Sequence, residues 1–278
     1  MKITNSIHRI KIVFNITPNI ERSVYMYIIE GKKLYLIDTG VDGTEKIIAD
    51  YINTIGRKTQ DIEAVLLTHS HPDHIGGVCE IKNMSNCEVY ACHAESEWIS
   101  NINKQYEDRP IPNFYKLLNK SVKIDKYLKD GDLLELEENI TIKVINTKGH
   151  SEESLSFYYI QEKALFTGDA IPIIGDIPIY ISAKQSIETL EKLINIKNID
   201  HYLSAWDEEK DHISGLKAIN DAIDHLKNID TSVKNIILKY PNKNREEIFN
   251  IVCKELGMEQ FSINPLFKKS IFSNIDET

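Results

Sequence analysis

The sequence of 278 residues predicts an α+β fold in which two strand-rich halves form stacked sheets flanked by helices. Segments rich in β-branched and aromatic residues recur in the first and middle parts of the chain, with helix-like stretches among them. From about residue 211 onward the apolar residues follow a helical spacing instead. We therefore expect one α+β domain over residues 1–210 and a C-terminal helical appendage over residues 211–278.

In the first half, strands are predicted at residues 8–15, 24–30 and 34–38, separated by polar or glycine-containing turns. A helix is predicted over residues 44–55, closed by Gly56. Residues 64–68 predict a buried strand, followed by a strand at 88–92 and a helix at 94–102. Residues 105–114 contain Pro110 and Pro112 and are expected to form an irregular insertion before a short helix.

In the second half, the same strand pattern recurs at residues 133–136, 140–146, 155–160 and 164–167. The helical spacing of the appendage runs through Ile213, Leu216, Ile219, Ile223 and Leu226. This appendage is expected either to shape access to a site or to serve as a stabilising cap or homodimer contact.

The composition excludes several classes of protein. With 33 basic and 42 acidic residues the net charge is −9, which disfavours nucleic acid as a partner. No apolar run is long enough to span a membrane, and the first residues do not resemble a signal peptide. The four cysteines show no C-x-x-C spacing, so neither a disulfide framework nor a thiolate zinc site is indicated. We expect a cytoplasmic protein that acts on a small molecule.

A histidine cluster follows the strand predicted at residues 64–68. The sequence His69-Ser70-His71-Pro72-Asp73-His74 contains three imidazoles and a carboxylate. In extended backbone, His69 and His71 project to the same side and can share one metal ion. Pro72 can open a helical turn that places Asp73 and His74 beside a second point in the same pocket. The spacing therefore predicts a metal site with room for two adjacent ions.

Four segments resemble, in order, motifs of the metallo-β-lactamase-fold hydrolase superfamily. They are Leu-Ile-Asp-Thr-Gly at residues 36–40, H-x-H-x-D-H-x-G-G at 69–77, Gly-His at 149–150 and Gly-Asp at 168–169. The resemblance covers roughly the first three quarters of the chain. It implies a four-layer αββα sandwich over residues 1–210, with metals at the sheet edges. The adjacent Asp73 and His74 are most similar to the glyoxalase-II-like branch.

The resemblance also implies a set of metal ligands. The first site would use His69, His71 and His150, and the second would use Asp73 and His74, with Asp169 bridging the two. Asp38 would contact and support the ligands without binding a metal itself. Imidazoles and carboxylates favour zinc, with iron and manganese as alternatives, and one or two ions are expected.

One position departs from the family pattern. The family supplies a further histidine to the second site after a late strand, and here Trp206 stands at that position. An indole cannot coordinate a metal, so the second site is expected to be weaker, completed by water or empty. Asp207 could replace the lost ligand, although a solvated loop acid is the favoured interpretation. His201 and His212 are poorly placed to do so.

The activity that the resemblance implies is hydrolysis of an ester, thioester or lactone by a metal-bound hydroxide, with Asp73 orienting the attacking water. Neither a G-x-S-x-G elbow nor a G-x-x-x-x-G-K-[S/T] loop occurs, so serine hydrolases and P-loop enzymes are disfavoured. Two alternatives remain open. One is a mononuclear iron oxygenase similar to persulfide dioxygenases, and the other is a non-catalytic metal-binding module.

Overall fold

The computed structural model describes residues 1–277 and contains two six-stranded mixed sheets. The strands of the first sheet follow one another in chain order. They are β1 (Ile7–Thr17), β2 (Ile20–Glu30), β3 (Leu34–Ile37), β4 (Ile62–Leu66), β5 (Glu88–Cys92) and β6 (Lys126–Leu128). The pairs β1–β2 and β2–β3 are antiparallel, whereas β3 to β6 run parallel. The predicted meander is thus followed by a parallel half-sheet.

The second sheet also follows chain order, from one edge to the other. Its strands are β7 (Leu133–Glu137), β8 (Ile140–Asn146), β9 (Leu155–Tyr159), β10 (Ala164–Gly168), β11 (His201–Ser204) and β12 (Lys210–Asp211). Only β10 and β11 pair in parallel. A helix connects these two strands, as a parallel connection requires.

Alternation along β2 explains how the layers form. Tyr25, Tyr27 and Ile29 belong to the core between the two sheets, whereas Met26 and Ile28 pack against the outer helices. Successive strand residues point to opposite faces, so β2 is buried on both. The result is a helix-sheet-sheet-helix sandwich, which confirms the predicted four-layer fold.

The helices cover the outer faces and form the C-terminal part. They are α1 (Glu45–Thr54), α2 (Pro72–Ile75), α3 (Val78–Ser85), α4 (Ser96–Ser100), α5 (Ile102–Asp108), α6 (Phe114–Leu117), α7 (Ala183–Ile194), α8 (His212–Lys239), α9 (Arg245–Glu255) and α10 (Pro265–Asp276). None of the helices within residues 1–277 has the length and apolarity needed to cross a bilayer.

The prediction for residues 94–114 was partly wrong. The predicted helix over 94–102 is interrupted at Asn101, whose φ of −142° is not helical and whose side chain accepts a hydrogen bond from Lys104 N at 3.2 Å. This cap starts α5, so residues 105–108 are helical instead of irregular. The helix ends at Asp108, and Arg109 after it is not helical, since Pro110 disfavours helical backbone in the residue before it.

Helix α8 joins two cores. Ile219 and Leu226 pack with α7 on the outer face of the second sheet, whereas Ile229 and Val233 pack with α9 and α10. The long helix therefore belongs to the sandwich at its start and to the C-terminal helices at its end. The domain boundary between residues 210 and 211 stays a prediction.

Candidate metal centre

The histidine cluster lies where β4 leaves the first sheet. His71 is the residue that precedes α2, with extended backbone at φ −64° and ψ 149°, and Pro72 is the first residue of that helix. Proline suits this position because its missing N–H would have no helical partner there. The chain therefore turns sharply after His71 and places Asp73 and His74 in the first helical turn.

Two glycines deliver the remaining ligand candidates from the second sheet. Gly149 has φ +120° and precedes His150, and Gly168 has φ +52° and precedes Asp169. A Cβ on Gly168 would lie 2.9 Å from the Thr68 side chain. Only glycine adopts this positive φ readily and also leaves room for Thr68. The end of β10 can therefore pack against the loop that follows β4.

Three imidazoles and a carboxylate form the first group. Nδ1 of His71 lies 2.9 Å from Nε2 of His69 and 3.0 Å from Nε2 of His150. Oδ2 of Asp169 lies 3.3 Å from Nε2 of His150 and 3.9 Å from Nε2 of His69. These four ligand atoms all lie within 4.8 Å of one another.

Asp73, His74 and Asp169 form the second group. Nε2 of His74 lies 3.2 Å from Oδ1 of Asp169 and 3.6 Å from Oδ2 of Asp73. Asp169 thus presents one oxygen to each group. Nε2 of His74 and Oδ1 of Asp169 are both buried, and neither has a hydrogen-bond partner in the described part of the chain. Buried polar atoms without partners are rare, and a shared cation would satisfy both.

Hydrogen bonds on the outer ring nitrogens fix which nitrogen faces the centre. Nδ1 of His150 donates to the carbonyl oxygen of Ile179 at 2.8 Å, because a carbonyl can only accept. Nδ1 of His69 lies 3.0 Å from Oγ1 of Thr68. With Nδ1 occupied in both rings, the Nε2 lone pairs of neutral His69 and His150 point inward and are free for a metal.

Asp38 forms hydrogen bonds with residues at both ends of the loop that carries the histidine cluster. Its two oxygens accept from the backbone N and the hydroxyl of Thr68, at 2.8 and 2.7 Å. Oδ2 also accepts from Nδ1 of His74 at 2.8 Å, which leaves Nε2 of His74 facing the centre. Asp38 is 3% exposed and has φ +60°, a conformation that aspartate adopts more readily than most residues. It therefore contacts the candidate ligands without facing the centre itself.

The electrostatics of the two groups differ. Burial holds the pKa of His69 and His71 well below the ordinary value and also lowers the pKa of His150, so these rings are neutral at pH 7. Burial acts the same way on His74, but the carboxylates of Asp169, Asp38 and Asp73 outweigh it and raise the His74 pKa well above the ordinary value. The second group therefore attracts positive charge.

These residues fit a divalent metal. Two nitrogens bound to one zinc ion at about 2.1 Å in tetrahedral geometry lie on the order of 3.4 Å apart. The spacing of 2.9 to 3.0 Å in the first group is close to this value. The second group offers two carboxylates and an imidazole, but one histidine fewer than the family pattern supplies.

Trp206 lies beside Asp169 and is not a ligand. Its indole Nε1 donates to Oδ2 of Asp169 at 2.9 Å, and the ring packs edge-on against Phe14 with the centroids 6.4 Å apart. The guanidinium carbon of Arg22 lies 6.0 Å from the centroid of the same ring. The indole therefore donates a hydrogen bond to the carboxylate shared by both ligand groups, at the place where a histidine ligand was expected.

The alternative second-site ligands lie elsewhere. Asp207 pairs with Nζ of Lys210 at 2.7 Å, and His201 pairs with Glu209 at 2.6 Å. Nδ1 of His212 lies 2.8 Å from the carbonyl oxygen of Ile199. None of the three belongs to either ligand group found within residues 1–277.

Three residues near the centre were missed in the sequence. Glu95 accepts from the backbone N of Ser70 at 3.2 Å and from its hydroxyl, and Gln105 donates to the carbonyl oxygen of Ser70 at 2.6 Å. Arg109 lies close enough to act electrostatically on His71. All three come from the segment after β5, which carries no motif. The only sequence signal was that an insertion of this length follows a parallel strand.

The chain forms an αββα sandwich with two adjacent groups of candidate metal ligands at one end of its sheets. The sequence profile of the metallo-beta-lactamase superfamily matches residues 19–198. The chain belongs to this superfamily.

Named relatives support the same assignment. The chain is 31% identical over 183 residues to a probable metallo-hydrolase from Methanocaldococcus jannaschii, a match that covers 63% of this chain and 82% of the relative. It is 27% identical over 127 residues to a hydroxyacylglutathione hydrolase from Rhodopseudomonas palustris, covering 46% of this chain and 41% of that enzyme. The match thus spans less than half of the second relative.

The fold also matches solved structures. A metallo-beta-lactamase family protein from Thermus thermophilus superimposes with a TM-score of 0.73 over 97% of this chain and 92% of that protein. The two sequences are 16% identical, so this likeness concerns the fold. It includes the C-terminal helices, since the match covers nearly the whole chain.

Proposed function

We propose that this protein hydrolyses an ester, thioester or lactone of a small molecule, with one or two bound divalent metal ions. The observation that carries the proposal is the convergence of the inward nitrogens of His69, His71 and His150 beside Asp169. Their donor set suits zinc, and iron and manganese are the alternatives. A dication held there would lower the pKa of a bound water from 15.7 to about 7 and polarise a substrate carbonyl.

Asp73 is the residue that we assign to proton handling. Its side chain is 18% exposed, whereas that of neighbouring His74 is fully buried. Asp73 is therefore the residue of this pair that a substrate or water can reach. Its carboxylate would orient the attacking water and accept its proton.

A thioester is the substrate class that we would test first. Several relatives carry the name hydroxyacylglutathione hydrolase, which describes a thioester substrate for those enzymes. For this chain the class is a proposal, because these matches cover less than half of either protein. We also propose a cytoplasmic location, which the four unpaired cysteines support.

The test combines metal analysis with a substrate panel. Protein purified without added metal is analysed for zinc, iron and manganese, and the zinc-loaded protein is assayed on thioesters, esters and lactones. We expect turnover that is lost in a His150→Ala variant. Failure of the fully zinc-loaded protein to turn over any panel member would contradict the proposal and favour a non-catalytic metal-binding module.

Trp206 supports a second candidate, a mononuclear iron oxygenase. Because the indole stands where a second-site ligand was expected, a centre with one metal is a coherent alternative. About one iron per chain, with oxygen consumption on glutathione persulfide and no ester or thioester hydrolysis, would favour it over the hydrolase.

A further inference from the structure

Arg109 follows the helix α5, which contacts the loop that carries His69 and His71. Gln105, in α5, donates from its side chain to the carbonyl oxygen of Ser70 at 2.6 Å, between His69 and His71. Arg109 follows one turn later, and its backbone N donates to the carbonyl oxygen of Gln105 at 2.8 Å. The arginine is therefore attached to a helix fixed directly against the candidate centre.

The Arg109 guanidinium lies in the electric field of the centre. The charges of Asp73, Asp169 and Glu95 act on it, and its own charge disfavours protonation of the centre's imidazoles. Burial lowers the pKa of Arg109 to about 10, so the side chain is still cationic at pH 7. Within residues 1–277 the guanidinium has neither a hydrogen-bond partner nor an ion-pair partner.

In the described part of the chain, the N–H donors of the Arg109 guanidinium have no acceptor. A guanidinium carries five N–H donors, and partial burial without acceptors is unfavourable. Glu95 does not contact these donors in this structure; its oxygens accept from Ser70 and from the backbone N of Glu153 at 3.0 Å. Asp73 and Asp169 are part of the second ligand group. An ion bound there would cancel the attraction that they exert on Arg109.

We propose that Arg109 binds an anionic group of the substrate, a carboxylate or a phosphate, beside the bond that is cleaved. The inference rests on the proposed hydrolase function and narrows its substrates to acids whose acyl or leaving part carries such a group. A planar guanidinium can bind either group through two parallel hydrogen bonds.

The position of Arg109 is constrained on both sides. Pro110 and Pro112 restrict the backbone that follows it, and Nζ of Lys269 in α10 donates to the carbonyl oxygen of Asp108 at 3.0 Å. The end of α5 is thus tied to the C-terminal helices. The backbone that carries Arg109 is thus restrained, so this part of the chain need not become ordered when a ligand binds.

The test measures binding, so that it does not depend on turnover. Zinc-loaded wild-type protein is titrated by calorimetry with succinate, glutarate and adipate, and with the monocarboxylates butyrate, valerate and hexanoate of the same lengths. A parallel series with 3-phosphonopropionate separates phosphonate from carboxylate preference. The variants are Arg109→Gln, Arg109→Lys and, as a charge-matched control in the same segment, Lys116→Gln, which removes an exposed lysine.

We expect the best dicarboxylate or phosphonate to lose at least about tenfold in affinity on Arg109→Gln, whereas the monocarboxylates change less than about twofold. For the dicarboxylate or phosphonate, the affinity of Arg109→Lys should lie between those of wild type and Arg109→Gln. The affinity of Lys116→Gln should match that of wild type. If Arg109→Gln does not fold, Arg109→Lys carries the comparison. Equal loss for both ligand series, or no preference of wild type for a second anionic group, would overturn the proposal. Hydrolysis of neutral thioesters alongside that result would leave the hydrolase function intact.

Discussion

The indole nitrogen of Trp206 donates a hydrogen bond to Oδ2 of Asp169, the oxygen that faces the three-histidine group. The other oxygen of Asp169 faces His74 and has no hydrogen-bond partner within residues 1–277. The carboxylate of Asp169 is therefore hydrogen-bonded to a tryptophan through one oxygen and open at the other. The expectation that the second metal binds more weakly than the first rests on Trp206 itself, which stands at the position of a histidine ligand and cannot coordinate a metal.

Replacing Trp206 by histidine should strengthen the second site. A histidine at this position would add a nitrogen ligand, and we expect the dissociation constant of the second ion to fall on the order of tenfold or more. The measurement is zinc content after dialysis against a graded series of free zinc concentrations. Trp206→Phe is the control, because it also removes the indole N–H but supplies no ligand. Identical second-site affinities in the two variants would show that the position does not face the second ion.

Replacing Asp73 by asparagine should abolish turnover while zinc remains in the first group. An amide can still contact water but cannot accept its proton, so we expect kcat to fall by about 100-fold or more. The measurement is kcat on the best substrate, together with zinc content. Asp207→Asn serves as the control, because that carboxylate pairs with Lys210 outside the centre. Full activity in the Asp73 variant would remove this residue from the mechanism.

Replacing Asp38 by asparagine should weaken the second metal and the fold together. Asparagine tolerates φ +60°, but it cannot offer acceptors to Thr68 and His74 with both side-chain atoms. We expect metal affinity of the second group to fall about 10- to 100-fold, and the free energy of unfolding by about 1–3 kcal/mol. Chelator competition and denaturant unfolding measure the two effects. Asp50→Asn, at an exposed position on α1, should change neither.

Removing the Tyr180 hydroxyl should loosen the orientation of His150, because this hydroxyl attaches the neighbouring backbone to α10. The hydroxyl donates to Oδ1 of Asn274 in α10 at 2.6 Å, and the Tyr180 backbone N donates to Oγ of Ser270 at 2.9 Å. The preceding carbonyl, that of Ile179, orients His150. We expect Tyr180→Phe to lower the free energy of unfolding by about 1–2 kcal/mol and to speed zinc release to a chelator.

The matched control for Tyr180 is Tyr158→Phe. The Tyr158 hydroxyl also donates to a carbonyl oxygen, that of Asn198 at 2.8 Å, but it lies outside both ligand groups. This variant should release zinc at the wild-type rate. If both tyrosine variants release zinc equally fast, the C-terminal helices do not support His150.

The two strand-rich halves were predictable because strand patterns depend on local sequence, whereas the four-layer arrangement came from the family resemblance that the ordered motifs carry. That Tyr27 and Met26 lie on two buried faces of one strand is seen only in the structure. The candidate ligands were predictable for a similar reason, since His69, His71, Asp73 and His74 are neighbours in the chain. Only the resemblance to a family added His150 and Asp169.

The rest depends on distant contacts that no local pattern records. Arg109 lies near the centre because Asn101 caps the start of α5 and Pro110 ends it, which together set where this residue leaves the helix. Likewise, the bond from Trp206 to Asp169 joins two loops of the second sheet. Its geometry follows from the parallel pairing of β10 and β11, which sequence spacing alone does not specify.

The contact between Trp206 and Asp169 also allows the centre to be monitored by tryptophan fluorescence. The chain has two tryptophans, and the indole of the other, Trp98, donates to Asp108 at 3.0 Å. A Trp98→Phe variant would carry a single tryptophan, hydrogen-bonded directly to the carboxylate that faces both ligand groups. Because indole emission responds to nearby charge, the residue that replaces a metal ligand would become the optical reporter of metal loading.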